Sequence, residues 1–169
     1  MCGTTSAMDP AQLPQEMPGS KAVPALGQKP ALRDIGWLAH YSLRGSWQLI
    51  KARIAFRNFA ASDLVRRNKA ARTVTLEGIG TDPVHLARIA YVLPRLSHRL
   101  PWRSDCLIQS MAAQDWLAAS GLESEIQIGV EKPENGAFAA HAWLIHRGAV
   151  VTGGDVSKYA VLFAQDPGP

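Results

Sequence analysis

From Ala31 to Phe59, apolar side chains recur at steps of three to five positions among polar and charged ones. Such spacing is typical of amphipathic helices, because residues three or four apart lie on one face of a helix. We therefore predict one or two helices in this segment. The positions expected to form their apolar face are Ile35, Leu38, Ser42, Trp47, Ile50, Ile54 and Phe59.

Two further helices are predicted in the middle of the chain. The first is short, and we expect it to end before Pro94, because proline cannot continue the hydrogen-bond ladder. The second ends near Gly121, and Ser104 or Asp105 can cap its start by accepting hydrogen bonds from the first backbone N–H groups. Cys106 then lies in the first turn of this helix.

After this helix the apolar pattern changes to a period of two, which is typical of half-buried strands. Residues 126–131 alternate in this way, and two more strands are predicted at 140–146 and 149–152. Arg147 and Gly148 form the turn between these two strands, and a Gly-Gly pair closes the last one. The predicted fold class is therefore α+β, with a helix packed on a small antiparallel sheet and a helical N-terminal part.

The length of 169 residues fits one ordinary domain. Residues 1–30 mix Pro, Gly, Ser and Gln without periodicity, and we expect a disordered arm because they offer little apolar surface to bury. Residues 31–95 are expected to form the helical N-terminal part of the domain. Residues 96–169 are expected to form its core, with the helix of Cys106 and the sheet.

Composition excludes several classes of protein. Two cysteines, Cys2 and Cys106, cannot build a disulfide framework, and the cytoplasm is the compartment that fits best. No stretch reaches the uncharged length of a membrane span, so we expect none. The five histidines are scattered without Cys-x-x-Cys or His-Glu-x-x-His spacing, so we expect neither a metal nor another cofactor.

The positive charge is concentrated in residues 31–72, which hold nine Lys or Arg against two Asp. Such a surface can meet nucleic acid, anionic lipid or an acidic peptide, but a solvated helix face is the favoured interpretation. The segment contains no nucleic-acid recognition motif, and its aromatic residues are spaced as in a helix core, not as an exposed stacking platform. We therefore expect no nucleic-acid partner.

Cys106 and His141 are the candidate catalytic pair. The thiolate is the reactive form of cysteine, and the unpaired N–H groups and dipole of a helix start favour negative charge there. The same N–H groups can donate to the oxyanion that forms during acyl transfer. His141 lies in a predicted strand and can act as general base if the helix packs on the strand face that it shares with Trp143. Asp155 is the nearest acid that can orient the imidazole.

The sequence from Leu100 to Leu162 resembles the lasso-peptide leader peptidases, a transglutaminase-like family that cuts the leader from a ribosomally made precursor. The resemblance rests on the segments LPWRSDCLIQSMAAQDWLAASGLESEIQIGV and FAAHAWLIHRGAVVTGG. It implies a transglutaminase-like or papain-like core in which Cys106 is the nucleophile of a cysteine peptidase and His141 is its general base.

In this family the triad Asp usually follows the His by eleven or twelve residues, at positions held here by Thr152 and Gly153. Asp155 is therefore displaced, and it serves as the third residue only if the turn is longer here. The resemblance further implies a precursor peptide as substrate, a separate leader-recognition protein, and an ATP-dependent lasso cyclase that closes the ring.

A second hypothesis is a non-catalytic member of the same fold, which holds a peptide for another maturation enzyme. The two hypotheses differ in their dependence on the thiol. Replacement of Cys106 by alanine abolishes the activity of a peptidase, but it leaves the biological output of a binding module unchanged.

Overall fold

The computed structural model describes residues 21–22, 35–73, 83–101, 105–131 and 139–163. Within these residues the chain forms four helices and a five-stranded sheet. In chain order the elements are β1 (Lys21–Ala22), α1 (Ile35–Phe56), α2 (Ala61–Arg72), α3 (Pro83–Ser97), α4 (Cys106–Ala119), β2 (Glu125–Glu131), β3 (Ala139–His146), β4 (Ala149–Thr152) and β5 (Ala160–Phe163).

The sheet has the strand order β1-β4-β3-β2-β5. Strands β2 to β5 pair antiparallel with their neighbours, and β1 adds to the β4 edge in parallel. The central pair, β2 and β3, is in register from Glu125 opposite Ile145 to Glu131 opposite Ala139. The predicted α+β class, with a helix on a small antiparallel sheet, is confirmed.

Strands β2, β3 and β4 lie where the alternating pattern predicts them. The turn between β3 and β4 has positive φ at both residues, 46° at Arg147 and 78° at Gly148, as a type I′ hairpin turn requires. Strands β1 and β5 were not predicted. Strand β1 has two residues, too few to show an alternating pattern of apolar and polar side chains. Strand β5 is a short apolar run, AVLF, without alternation.

Helix α4 lies at the centre of the core, with α1 and α3 on one side and the sheet on the other. It therefore buries residues around most of its circumference, as expected of a helix that is covered on more than one face. Its fully buried apolar residues are Ile108, Met111, Ala112, Ala113, Trp116 and Leu117. The sheet contributes Ile126, Leu144 and Val151 to the same cluster.

Helix α1 confirms the predicted helix but buries a different face. The residues it buries are Gly45, Gln48, Leu49 and Ala52. A Cβ on Gly45 would lie 2.9 Å from the Leu96 side chain and 3.2 Å from that of Trp116, so the lack of a side chain lets α1 approach α3 and α4 closely. The expected apolar face is wrong for three of its members, since Ile35, Trp47 and Ile54 are exposed.

Helix α3 runs through Pro94 and ends at Ser97. Pro94 lacks the N–H that would bond the Ala90 carbonyl, but the residues after it remain helical, and the Ser97 hydroxyl donates to the Pro94 carbonyl over 2.7 Å. The predicted stop before Pro94 is therefore wrong. The burial of Leu93 and Ser97 against the core holds the last turn in place.

Helix α2 is joined to the sheet by Asn68, a fully buried amide. It accepts from the N–H of Ile126 and donates to the carbonyl of the same residue, both over 2.9 Å. Gln114 on α4 donates to the Asn68 side-chain oxygen over 3.0 Å. Because β5 pairs with β2 only from Ile128 onward, Asn68 takes the place of a strand neighbour at Ile126.

Two arginines of the basic segment pair with acids inside the domain. Arg67 donates to Asp115 on α4, and Arg72 donates to Glu125 on β2 over 2.8 Å. These contacts fix α2 against its neighbours, and they give part of the positive charge a structural role.

Residues 1–20 and 23–34 lie outside the described residues, so the arm expected over residues 1–30 stays a prediction. In the described part of 31–95 the chain forms α1, α2 and most of α3. None of the helices described combines the length and the apolar character that crossing a bilayer requires.

Candidate active site

Cys106 is the first residue of α4, as predicted. Asp105 occupies the N-cap position, but its side chain makes no capping hydrogen bond to the helix. Ser104, the other predicted cap, lies outside the described residues. The Cys106 side chain is a free, partly exposed thiol. Because Asp105 does not cap the helix, its side chain does not occupy the first-turn N–H groups beside the sulfur.

The thiol of Cys106 lies against strand β3. The backbone N–H of Ala142 donates a hydrogen bond to the sulfur over 3.4 Å. Ala142 directly follows His141, so its nitrogen is bonded to the His141 carbonyl carbon. From covalent bond lengths, the sulfur lies within about 6 Å of the His141 Cα. The two candidate residues therefore meet at one peptide unit.

The sulfur occupies a position in the sheet where β4 has ended. The last residue of β4, Thr152, pairs with Leu144, two residues after Ala142 on β3. Backbone N–H groups of a strand point sideways within the sheet, toward a neighbouring strand. The thiol accepts such a group at Ala142, so it sits at the edge of the sheet next to the end of β4.

Helix α4 packs on the other face of β3 from the one expected. Ser110 Oγ lies 3.3 Å from Thr152 Oγ1, and Thr152 pairs with Leu144, so α4 covers the face of Leu144. His141 and Trp143 point to the opposite face, because successive side chains alternate along a strand. The condition set out from the sequence, that α4 pack on the strand face of His141, is therefore not met. The thiol is still beside His141, because it lies at the sheet edge and not over a face.

The imidazole of His141 is anchored by a backbone carbonyl. Its Nε2 lies 2.8 Å from the carbonyl oxygen of Gly153. A carbonyl oxygen can only accept, so Nε2 carries the proton and donates, and in the neutral ring Nδ1 keeps its lone pair. The hydrogen bond thus selects the tautomer whose other nitrogen can act as a base.

Aromatic rings hold the same imidazole from the side. The His141 ring stacks on Tyr159, with centroids 4.8 Å apart and planes at 24°, and lies 6.2 Å from the Trp143 ring. Trp143 is buried, and its Nε1 donates to Gln127 on β2 over 3.0 Å. A Cβ on Gly129 would lie 2.7 Å from the Trp143 ring, so the ring packs directly on the β2 backbone. The base therefore sits on a rigid support.

Asp155 lies two residues past Gly153, and its carboxylate bonds elsewhere. It accepts from the backbone N–H of Ser157 over 3.0 Å and is exposed. Hydrogen bonds from the Ser157 backbone N–H, and then from its hydroxyl, hold the pKa of Asp155 below its usual value. The described contact at Nε2 of His141 is made by Gly153 and not by Asp155. The structure thus brings Cys106 and His141 together. Asp155 as the third member of the site stays a prediction.

Gly153 is a functional position that the residue types did not reveal. Its φ of 113° is open to few residues with side chains, and a Cβ there would overlap Trp143 Cβ and lie 3.4 Å from His141 Nε2. A carboxylate side chain does not fit on this backbone. The only signal was spacing, because Gly153 follows His141 by twelve residues, where the resemblance places the triad Asp. Tyr159 and Gln127 carried no such signal.

Comparison with known proteins agrees with this geometry. The pattern of the Transglutaminase-like superfamily matches residues 46–164, well over half of the chain. The match includes Cys106, His141 and Gly153. Neither the curated proteins nor the solved structures gave a match. The family match and the helix-on-sheet fold together show that the chain belongs to the Transglutaminase-like superfamily.

Proposed function

We propose that this protein is a cysteine peptidase that removes the leader from a ribosomally synthesised lasso-peptide precursor. The superfamily to which it belongs includes cysteine peptidases. The finer assignment is supported by the resemblance of the segments around Cys106 and His141 to leader peptidases. The observation that carries the proposal is the meeting of the Cys106 sulfur with the peptide unit of His141, whose imidazole is fixed by Gly153.

The geometry supports acyl transfer in two halves. In the first half, Nδ1 of His141 takes the proton from the Cys106 thiol, and the thiolate attacks the scissile carbonyl carbon. The negative charge moves to the carbonyl oxygen, where N–H groups of the first turn of α4 stabilise it. The imidazolium then gives its proton to the leaving amine as the C–N bond breaks, which leaves a thioester on Cys106.

In the second half, water replaces the amine. Nδ1 removes a proton from the water as it attacks the thioester, and the sulfur leaves as thiolate and recovers a proton from the imidazolium. The products are the carboxylic acid of the leader and the free amine of the core peptide. In a lasso pathway that amine is the group that an ATP-dependent cyclase joins to close the ring.

The Gly153 carbonyl performs part of the work of a triad carboxylate. It fixes the tautomer and the orientation of the ring, as an Asp does, but it carries only a partial negative charge. We therefore propose a Cys–His pair with a backbone orienter. Asp155 is assigned no part in the ring's hydrogen bonding in this mechanism.

The remaining assignments are proposals drawn from the same resemblance. A separate protein is proposed to recognise the leader, and the helical character of the described part of residues 31–95 supports this. The partners are then the precursor peptide, this recognition protein and the lasso cyclase. A reducing cytoplasm keeps the Cys106 thiol free for catalysis.

The test is leader release measured by mass spectrometry. The protein is incubated with a candidate precursor and its recognition partner, as wild type, Cys106→Ala and His141→Ala, with Cys2→Ala as the matched control. We expect the separated leader and core with wild type and Cys2→Ala, and only intact precursor with the other two. Equal cleavage by wild type and Cys106→Ala contradicts the peptidase. Undiminished maturation with Cys106→Ala supports the non-catalytic binding hypothesis instead.

A further inference from the structure

Helix α1 presents a second apolar row on its outer side. Leu43, Trp47 and Ile54 are 77%, 59% and 63% exposed, although all three are large apolar residues. Ile50 lies between them and is partly exposed. With His40 before and Arg57 after, these residues follow steps of three and four and form what we call the α1 seam: His40, Leu43, Trp47, Ile50, Ile54 and Arg57.

The α1 seam is separate from the core contact of the same helix. The buried residues Gly45, Leu49 and Ala52 lie about half a turn away at 100° per residue. The helix is thus apolar on two opposite faces, and the described residues cover only one of these faces. An uncovered row of Leu, Trp and Ile on an otherwise charged surface marks an interaction site.

The spacing of the α1 seam indicates the shape of what covers it. Steps of three and four place the residues at the a and d positions of a heptad, the narrow stripe by which one helix packs along another. A helix that lies in a membrane surface has a wider apolar face. Within the helix, from His40 to Ile54, the row is about 21 Å long, the length of two heptads of a partner helix.

The charge of α1 selects among helical partners. The helix contains Arg44, Lys51 and Arg53 and no Asp or Glu. Positions beside an a/d seam decide which partner is accepted, because opposite charges across it attract and like charges repel. Lys51 is exposed next to the seam. A second copy of α1 would bring cations against cations, whereas a helix with Glu or Asp in the flanking positions complements them.

The segment before α1 in the given sequence is poorly suited to this role. Residues 1–30 contain only Asp9 and Glu16 as acids and five prolines, which do not favour a continuous acidic helix. The positive charge of α1 and this composition together favour a helix of a partner protein.

We propose that the α1 seam is a docking site for an acidic amphipathic helix of a partner protein, bound along α1 by heptad packing. The site is distinct from the catalytic pair, because the seam faces away from α4. The docking proposal does not depend on whether the protein is a peptidase.

The experiment uses two labelled three-heptad peptides with Leu at every a and d position. One has Glu at every e and g position, and the matched peptide has Lys there, so each peptide repels copies of itself. Binding to the full chain is measured by fluorescence anisotropy with wild type, Leu43→Ser and Lys51→Glu. Leu162→Ser is the control, because Leu162 is also 69% exposed but lies on β5 at the far edge of the sheet.

We expect the Glu peptide to bind wild type and Leu162→Ser alike, and the Lys peptide to bind about tenfold more weakly or worse. Leu43→Ser weakens the Glu peptide about tenfold, because it removes a buried leucine from the interface. Lys51→Glu weakens the Glu peptide and strengthens the Lys peptide. Circular dichroism checks that each variant stays folded, which the exposure of both residues predicts.

Three results would each overturn the proposal. In the first, neither peptide binds, or both bind equally. In the second, light scattering shows a wild-type dimer that Leu43→Ser dissociates, which assigns the seam to a second copy. In the third, the protein binds phosphatidylserine–phosphatidylcholine vesicles through Leu43 and ignores the peptides, which assigns the seam to a membrane.

Discussion

Replacing Gly153 by alanine tests whether its carbonyl positions the catalytic base. The added Cβ would overlap Trp143 Cβ, lie 3.2 Å from Trp143 Cα and approach His141 Nε2 to 3.4 Å. The φ of 113° is also unfavourable for any residue with a Cβ. The segment must therefore shift, and the carbonyl that holds the imidazole shifts with it.

The size of the effect follows from these two causes. An unfavourable φ at a residue with a side chain costs about 1–3 kcal/mol. Overpacking against a buried ring adds about 1–3 kcal/mol. The free energy of unfolding should then fall by about 2–6 kcal/mol, a large part of the stability of an ordinary domain. A displacement of the imidazole by about 1 Å should lower turnover about 100-fold.

Gly154→Ala is the matched control for this experiment. Gly154 also has positive φ, 68°, but nothing lies within 4 Å of its added Cβ. It should lose only about 1–2 kcal/mol from left-handed strain and retain its activity. Urea unfolding gives the stabilities, and leader release at a temperature where both variants are folded gives the rates. Equal loss of activity in the two variants would refute the positioning role of Gly153.

Three further changes test neighbouring parts of the structure. Asp155→Asn should change leader release by less than about threefold, whereas a triad Asp contributes about 10⁴-fold, so a loss of that size would make Asp155 catalytic. Asn68→Ala should lower the free energy of unfolding in urea by about 2–4 kcal/mol, because it leaves the backbone N–H and carbonyl of Ile126 without their hydrogen-bond partner. Asn58→Ala, at an exposed site, is the control and should leave this free energy unchanged. Tyr159→Ala should lower kcat about tenfold with little change in KM, and Tyr159→Phe should retain the rate because the stacked ring remains; equal rates in these two variants would exclude the stacking role.

Much of the fold could be predicted because local signals agreed with one another. Alternation marked β2 to β4, and the glycine after Arg147 marked the hairpin turn that joins two of them. The buried face of α1 could not be predicted from side-chain size. Its contact with the core uses Gly45 and Ala52 beside Leu49, since small residues let helices approach, whereas the large residues Leu43, Trp47 and Ile54 are exposed.

The candidate active site could also be predicted only in part. Cys106 at a helix start and His141 on a strand were identifiable from the sequence, and the structure places them at one peptide unit. The condition that α4 pack on the strand face of His141 was unnecessary, because the thiol reaches His141 from the sheet edge, which the alternation of side chains along a strand does not describe. The partner of the imidazole was missed because it is a main-chain oxygen, and every residue carries one.

The most direct measurement is the rate at which iodoacetamide alkylates Cys106, followed by intact-protein mass spectrometry near neutral pH. Both proteins carry Cys2→Ser, so that a single added label reports on Cys106. The rate is compared between the protein with His141 and the His141→Ala variant. Since only the thiolate reacts, a working pair predicts alkylation about tenfold slower or worse once the imidazole is removed. Equal rates with and without His141, in variants that are both folded, would show that the imidazole does not activate the sulfur.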